Sequence, residues 1–517
     1  MSAGAAWPLV VQSALLGTER AAARAWPEAP PAVAPLLARL DAGDAEGALL
    51  GAAALLSAYA TAGRLPAPAA GDPAAPAPPD AADAPEAPAG PARLLSSMLA
   101  RAHAEALPEW LTRAAARGWR APSLALPALL AFATATTALR PALAAVLGGR
   151  GRWLAAQRDD WRWAVADTAP PDDEALEIAW QTGTPAERAA LLGRVRAADA
   201  ARGRALLEST WAEEPPTQRA ALVAALDAGL SSDDEPFLER ALDDRRQEVR
   251  RAAAVLLARL PDGALVARMT ALARVLLRHE AGGLLRRARL HVEPPAAHDA
   301  ALARDGVERA PPAGVGERAW WLAQIVGAVP PSTWSGEWRA EPAALIRLAA
   351  DGEWAQPVLE GWSTAAARFG DPAWSAALLA SDAPDLRAPR LAPTRAALLA
   401  ALPAAARERL VAGALRERPY DADVVPLVLD AAHDWSEPFA RVVLDWLRRR
   451  AGRAGDPGEW QLREALPRLA LRVPPSLATV AAAGWPDDAP DRGWARPVER
   501  FLALLAFRHE IAQELAR

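Results

Sequence analysis

The chain of 517 residues carries 58 basic and 63 acidic side chains, a net charge of −5, and no cysteine. This excludes disulfides, thiolate metal sites and cysteine nucleophiles, and leaves no global basic field to draw in nucleic acid. Apolar residues make up 52%, ample for a sizeable core; lysine is absent, so an arginine here does not signify a choice over lysine.

Residues 1–64 read as helices. The opening "MSAGAAWPLVVQSALLGTER" lacks a basic n-region, so no secretory leader is expected. Gly17-Thr18 reads as a helix end rather than a phosphate loop, which needs more glycines and a lysine. Residues 65–91 are rich in proline and alanine, without apolar period, and predict a disordered linker. A helical region follows over 92–170. Its segment Ala121–Leu139 is uncharged, yet Pro122, Pro127 and three threonines favour a buried helix over a membrane span. "GGRGRWLAAQRDDWRWA", Gly148–Ala164, interleaves Arg150, Arg152, Arg158 and Arg162 with Trp153, Trp161 and Trp163. Arginines beside tryptophans can grip phosphates and stack bases or peptides. The alternative is core, because Trp153 and Trp161 share one face if the helix is continuous.

Residues 171–292 contain a repeat. "TPAERAALLGRV", "PTQRAALVAALD" and "RQEVRRAAAVLLARL" place Arg188, Arg219 and Arg250 at intervals of 31 residues. Recurring helix pairs of this size mark an α-solenoid. Thr184-Pro185-Ala186-Glu187 has the form of a capped helix start. Asp244 with Gln247 predicts a second capping box, and Asp262 a cap for the next helix. Ser231–Asp244 holds six acids and one arginine, whereas Arg245–His291 holds eleven arginines and three acids. Residues 293–316 read as a second linker, and 317–517 as tryptophan-rich helical repeats. No convincing β-alternation is present, so the class is all-α. No histidine pair has metal spacing and neither H-E-x-x-H nor G-x-S-x-G occurs. Acidic runs sit at helix starts, where they favour the dipole. No catalytic residue, metal or cofactor is expected.

An acid followed by "VRRAA…LL..L" resembles a HEAT repeat. The resemblance implies a HEAT-like α-solenoid in which acids and arginines pair between neighbouring units, making Asp243, Asp244 and Arg250 structural. Eleven arginines exceed what such a ladder uses, so a partner surface stays open beside it. Over a wider span, "ALLGTER", "LLSAYATAGRLP", "LPEWLTRAAARGWRAP", the Arg/Trp stretch and "DEPFLERALDDRRQEVRRAAA" together resemble a bacterial domain family of unknown function. Genes of that family sit beside those for MoxR-type AAA+ ATPases, von Willebrand factor A-domain proteins and SWIM zinc-finger proteins. The proline/alanine insert after Leu65 and Arg158-Asp159-Asp160 depart from its pattern. The expectation is a cytoplasmic, non-enzymatic scaffold or adaptor for a protein partner, a MoxR-type ATPase or its A-domain protein. Its binding residues would be Arg245, Arg246, Arg250 and Arg251 with the stretch from Arg150 to Trp163. The alternative is a nucleic-acid-binding HEAT-like protein of the DNA-glycosylase kind.

Overall fold

The structure, a computed structural model, describes residues 6–18, 26, 29–62, 84–165, 173–283, 286–387, 391–453, 458–486 and 493–517. Most of the first expected linker, 65–83, lies outside these residues. The chain divides into two compact units, Met1–Ala77 and Pro78–Arg517.

In the first unit helix Ala6–Leu16 packs on helix Ala45–Ala62, and Val10, Val33, Leu37 and Leu56 form its small core. The Thr18 hydroxyl donates to Glu46 at 3.4 Å. Among the described residues, Ala45–Ala62 is the helix long and apolar enough to cross a membrane by length and composition.

Among the described residues the second unit is helical apart from one antiparallel hairpin, Leu277–Glu280 with Arg289–Val292, registered by Leu277 opposite Val292. Strands of four residues offer too few alternations to be told from a helix by period. Two hydrophobic cores fill this unit. One joins residues 87–164 to 399–515, and the other spans 176–398. Leu126, Leu129, Leu130 and Ala133 of the uncharged segment lie in the first core, on the short helix Leu126–Ala135. The C-terminal tryptophans are mostly anchors of these cores: Trp334, Trp362, Trp374, Trp446 and Trp494 are fully buried. Trp446 donates to the Pro419 carbonyl at 2.7 Å and Trp494 to Glu459 at 3.0 Å, which satisfies their indole N–H groups. Trp460 is exposed.

In an open array of repeats each unit touches only its neighbours. Here the start and the end of the second unit share one core. Buried Arg508 on the last helix, Ala495–Glu514, donates to Glu109 and to the carbonyls of Ala470 and Val473. Arg93 pairs with Glu510 at 3.0 Å, and Arg117 Nε donates to the Leu515 carbonyl at 2.6 Å.

The second expected linker, 293–316, is packed instead. Asp299 caps helix Ala300–Arg304 by accepting from the Leu302 N–H at 2.9 Å, and Leu302 and Val307 enter the second core. Arg304 pairs with Asp243 at 2.7 Å and with Glu239 at 3.3 Å, while Asp305 and Glu239 both hold Arg268. Two apolar anchors within a proline- and glycine-rich run leave no period to detect, and ion pairs to distant residues leave no local signature. At the end of the first expected linker, the Ala87 N–H donates to the Arg120 carbonyl at 3.0 Å and helix Ala89–Leu99 begins.

The caps divide. Thr184 and Glu187 form the expected reciprocal box, with Pro185 at the first helical position. Thr184→Ala should cost about 1 kcal/mol and lower the midpoint of thermal unfolding by roughly 2–4 °C, read by circular dichroism. Asp244 does not cap helix Gln247–Leu257; it accepts from the Arg246 N–H at 2.8 Å because its other oxygen is held by Arg219. Asp262 does not cap helix Ala264–Leu276 either. Glu235, at the start of helix Glu235–Ala241, accepts the Ala264 N–H in its place.

Candidate partner-binding cleft

The period of 31 residues builds a ladder of arginines. In the first rung Arg188 lies 4.3 Å over the ring of buried Trp180 and forks onto Glu214, with Nη1 to Oε2 at 2.9 Å. The Thr210 hydroxyl donates to the same carboxylate at 2.7 Å. In the second rung Arg219 lies 5.1 Å over Trp211 and donates to Asp244 at 2.8 Å. Its Nε also donates to the Glu214 carbonyl at 3.1 Å. Each rung therefore uses a tryptophan face, a backbone carbonyl or hydroxyl, and an acid from the loop before the next helix.

The third rung is different. Leu242 stands where the tryptophan would be, and the loop after the helix supplies no acid in register. Arg250 Nη1 donates to the carbonyls of Asp244 at 2.9 Å and Arg245 at 3.1 Å. Among the described residues no carboxylate lies within ion-pairing distance of Arg250, Arg245 or Arg246. Arg250 is half-buried; Arg245 and Arg246 are exposed.

Arg250 opens into a cleft of about 350 Å³ whose polar wall is Gln247, Arg250, Arg251, His298, Asp299, Glu308 and Arg309. That volume suits one or a few side chains. His298 Nε2 lies 2.8 Å from the Val307 carbonyl and its ring rests 5.5 Å from Trp321, so it is fixed in place. Arg251 pairs with Glu308 at 2.8 Å across the cleft's edge. Four of these seven residues come from 298–309, which the sequence offered as linker. A histidine, an aspartate and an arginine in that run were the available signal.

Beneath the ladder lies a pair that sequence reasoning missed. Arg196 and Asp234 are fully buried and joined by two bonds of 3.0 and 2.8 Å. Arg196 also donates to the carbonyls of Ala200, Leu226, Ala228 and Gly229, and Arg204 adds a bond to Asp234 at 2.9 Å. Burial pushes the Asp234 carboxyl up, but hydrogen bonds from Arg196, the Ser231 N–H and Arg204 outweigh it and hold the group below its ordinary range. Gly203 is needed here, since a Cβ would stand 2.3 Å from Arg196 Cγ. An arginine on the apolar face beside Leu192 and Val195 was the sequence signal.

The acidic half of the Ser231–Asp244 contrast is thus mostly internal wiring. Asp234, Glu235, Glu239, Asp243 and Asp244 all hold donors of the fold.

The Arg/Trp stretch from Gly148 to Ala164 is a short helix followed by a 3-10 segment, not one continuous helix. Trp161 is core, with Arg158 packed 4.4 Å from its ring and paired to Asp160 at 2.8 Å. Arg162 pairs with Asp159 at 2.8 Å. Trp163 donates to Thr134 at 3.2 Å under the Arg140 guanidinium. Arg150 and Trp153 are half-buried and Arg152 is exposed. Trp161 belongs to the first core and Val249, beside Arg250, to the second, so the two sets of expected site residues are not brought into one core.

The match that places this chain among known proteins spans residues 9–515. The chain belongs to a family of unknown function, DUF5691. No curated protein and no solved structure matches it. The family's description carries no activity, and the matched residues run through both units of this chain. Among the described residues no group of three histidine, aspartate or glutamate side chains is placed to hold a metal ion.

Proposed function

We propose that this protein is a non-enzymatic scaffold or adaptor, and that the arginine face at the start of helix Gln247–Leu257 binds a protein partner. On this reading residues 171–292 are HEAT-like units stacked through the arginine ladder, and the face where the ladder stops is the docking surface. The observation that carries it is the contrast between the closed rungs at Arg188 and Arg219 and the uncompensated Arg245, Arg246 and Arg250. Buried or paired arginine is ordinary in a fold, whereas a cluster without acids is available to another molecule. The gene neighbourhood attached to the family resemblance points to a MoxR-type AAA+ ATPase or its von Willebrand factor A-domain protein as that partner.

Affinity purification of the full chain from its host, with nuclease treatment, tests the reading. An ATPase or A-domain protein should be retained. The double variant Arg245→Glu with Arg246→Glu should lower its retention about tenfold or more while thermal stability shifts by no more than about 0.5 kcal/mol, as for exposed positions. Retention unchanged by the double variant would remove this face from the interface. Nucleic acid is the second reading, favoured by the eleven arginines of Arg245–His291. Five of these pair with acids of the fold, namely Arg251, Arg259, Arg268, Arg274 and Arg278, which lowers the positive charge left for phosphates. DNA binding that falls steeply with salt would support that reading, and absence of binding at low salt would end it.

A further inference from the structure

We propose that the third rung of the arginine ladder is completed in trans, by a carboxylate side chain on an acidic segment of the partner, seated in the cleft between helix Gln247–Leu257 and residues 298–309. This rests on the reading that the arginine face binds a protein.

The argument starts from the closed rungs. Arg188 takes Glu214 through two nitrogens, and Arg219 takes Asp244. The same guanidinium position recurs at Arg250, and its Nη1 is fixed by two backbone carbonyls. Nε and Nη2 of Arg250 have no partner among the described residues. A guanidinium held by its neighbours is a preorganised fork, and a carboxylate is an anion whose geometry matches that fork.

The cleft's charges favour one carboxylate over a chain of phosphates. Arg250, Arg251 and Arg309 line it, and the Gln247 amide adds a donor. Asp299 is engaged by the Leu302 N–H and Glu308 by Arg251, so neither closes the rung. Both penalise added negative charge, so a single carboxylate is favoured there over a polyphosphate strand. A side chain from a flanking acidic stretch meets Arg250 in the cleft while its neighbours meet exposed Arg245 and Arg246 outside it.

The test uses the full chain and a fluorescein-labelled octaglutamate peptide, with a labelled oligothymidylate of equal length as the competing probe. Fluorescence anisotropy should show the peptide binding and the oligothymidylate binding more weakly. Gln247→Glu puts a carboxylate one turn before Arg250 on the same helix face and fills the rung from within. It should weaken peptide binding about tenfold or more with no loss of thermal stability. Arg250→Gln should weaken it as much, and Arg274→Gln, on another helix and already paired with Glu337, should leave it unchanged. Peptide affinity unaffected by both Gln247→Glu and Arg250→Gln would overturn the proposal. So would tighter binding of the oligothymidylate. Failure of the parent reading looks different. If the wild-type chain retains no protein partner from its host, the adaptor reading falls. If a partner is retained and survives Arg250→Gln, the adaptor stands and the open rung is not its contact.

Discussion

Replacing Asp234 with alanine should lower stability by about 3–5 kcal/mol, because it strands a buried guanidinium. Arg196 is enclosed with Asp234 and cannot turn to water. Arg204 loses its acid in the same step. For a core of the size of 176–398 that cost corresponds to a fall of roughly 6–20 °C in the midpoint of thermal unfolding. Differential scanning calorimetry reads it directly, and a fall of under about 3 °C would show that Arg196 repacks. The effect also depends on pH. The Asp234 carboxyl is held below its unfolded value, so the unfolded chain binds more protons than the folded one as acid is added. The contribution is therefore complete above an ordinary aspartate pKa of about 4 and is lost as pH falls through the lower, folded value. The gap between the wild-type chain and Asp234→Ala should narrow below about pH 4. A gap that stayed constant into acid would mean that the carboxylate is not the source of the difference.

Arg508→Ala should lower stability by about 2–3 kcal/mol. It removes the donor shared by Glu109 and the carbonyls of Ala470 and Val473. The cost is smaller than at Asp234 because Glu109 keeps Arg113 at 2.8 Å. Its distinctive readout is local. Helix Ala495–Glu514 closes the first core through Phe501, Leu504, Leu505 and Ile511, so limited proteolysis should release it far sooner in the variant. Arg508→Lys should not rescue, since an ammonium lacks the planar fork that reaches the carboxylate and the two carbonyls together. Unchanged proteolysis in Arg508→Ala would place the strength of the closure in its apolar contacts alone.

The helical class, the arginine period and the Thr184 box were legible because each is written in consecutive residues. The HEAT resemblance implied a structural use for Asp243, Asp244 and Arg250; the two acids hold Arg304 and Arg219, whereas among the described residues Arg250 meets only backbone carbonyls. What stayed hidden depends on distance along the chain. Arg196 meets Asp234 across 38 residues, and Arg508 meets Glu109 across 399. A sequence shows neither end of such a bond as belonging to the other. The candidate site divided along the same line. Arg250 and Arg251 could be named from their helix, but His298, Asp299 and Arg309 join them only through packing that two buried side chains, Leu302 and Val307, achieve. In the Arg/Trp stretch the helix breaks after Ala156 and Asp159 and Asp160 answer the neighbouring arginines, which a helical period does not show.

The shared core of residues 87–164 and 399–515 has a consequence for the ribosome. At synthesis rates of about 5–20 residues per second, the roughly 400 residues between Glu109 and Arg508 take on the order of 20–80 s to emerge. Through that interval Leu95, Trp110 and Leu111 are out of the channel while the helix that covers them is still unmade. The nascent chain therefore carries an open apolar face for most of its translation, and it is a natural client for a holdase until the final helix arrives.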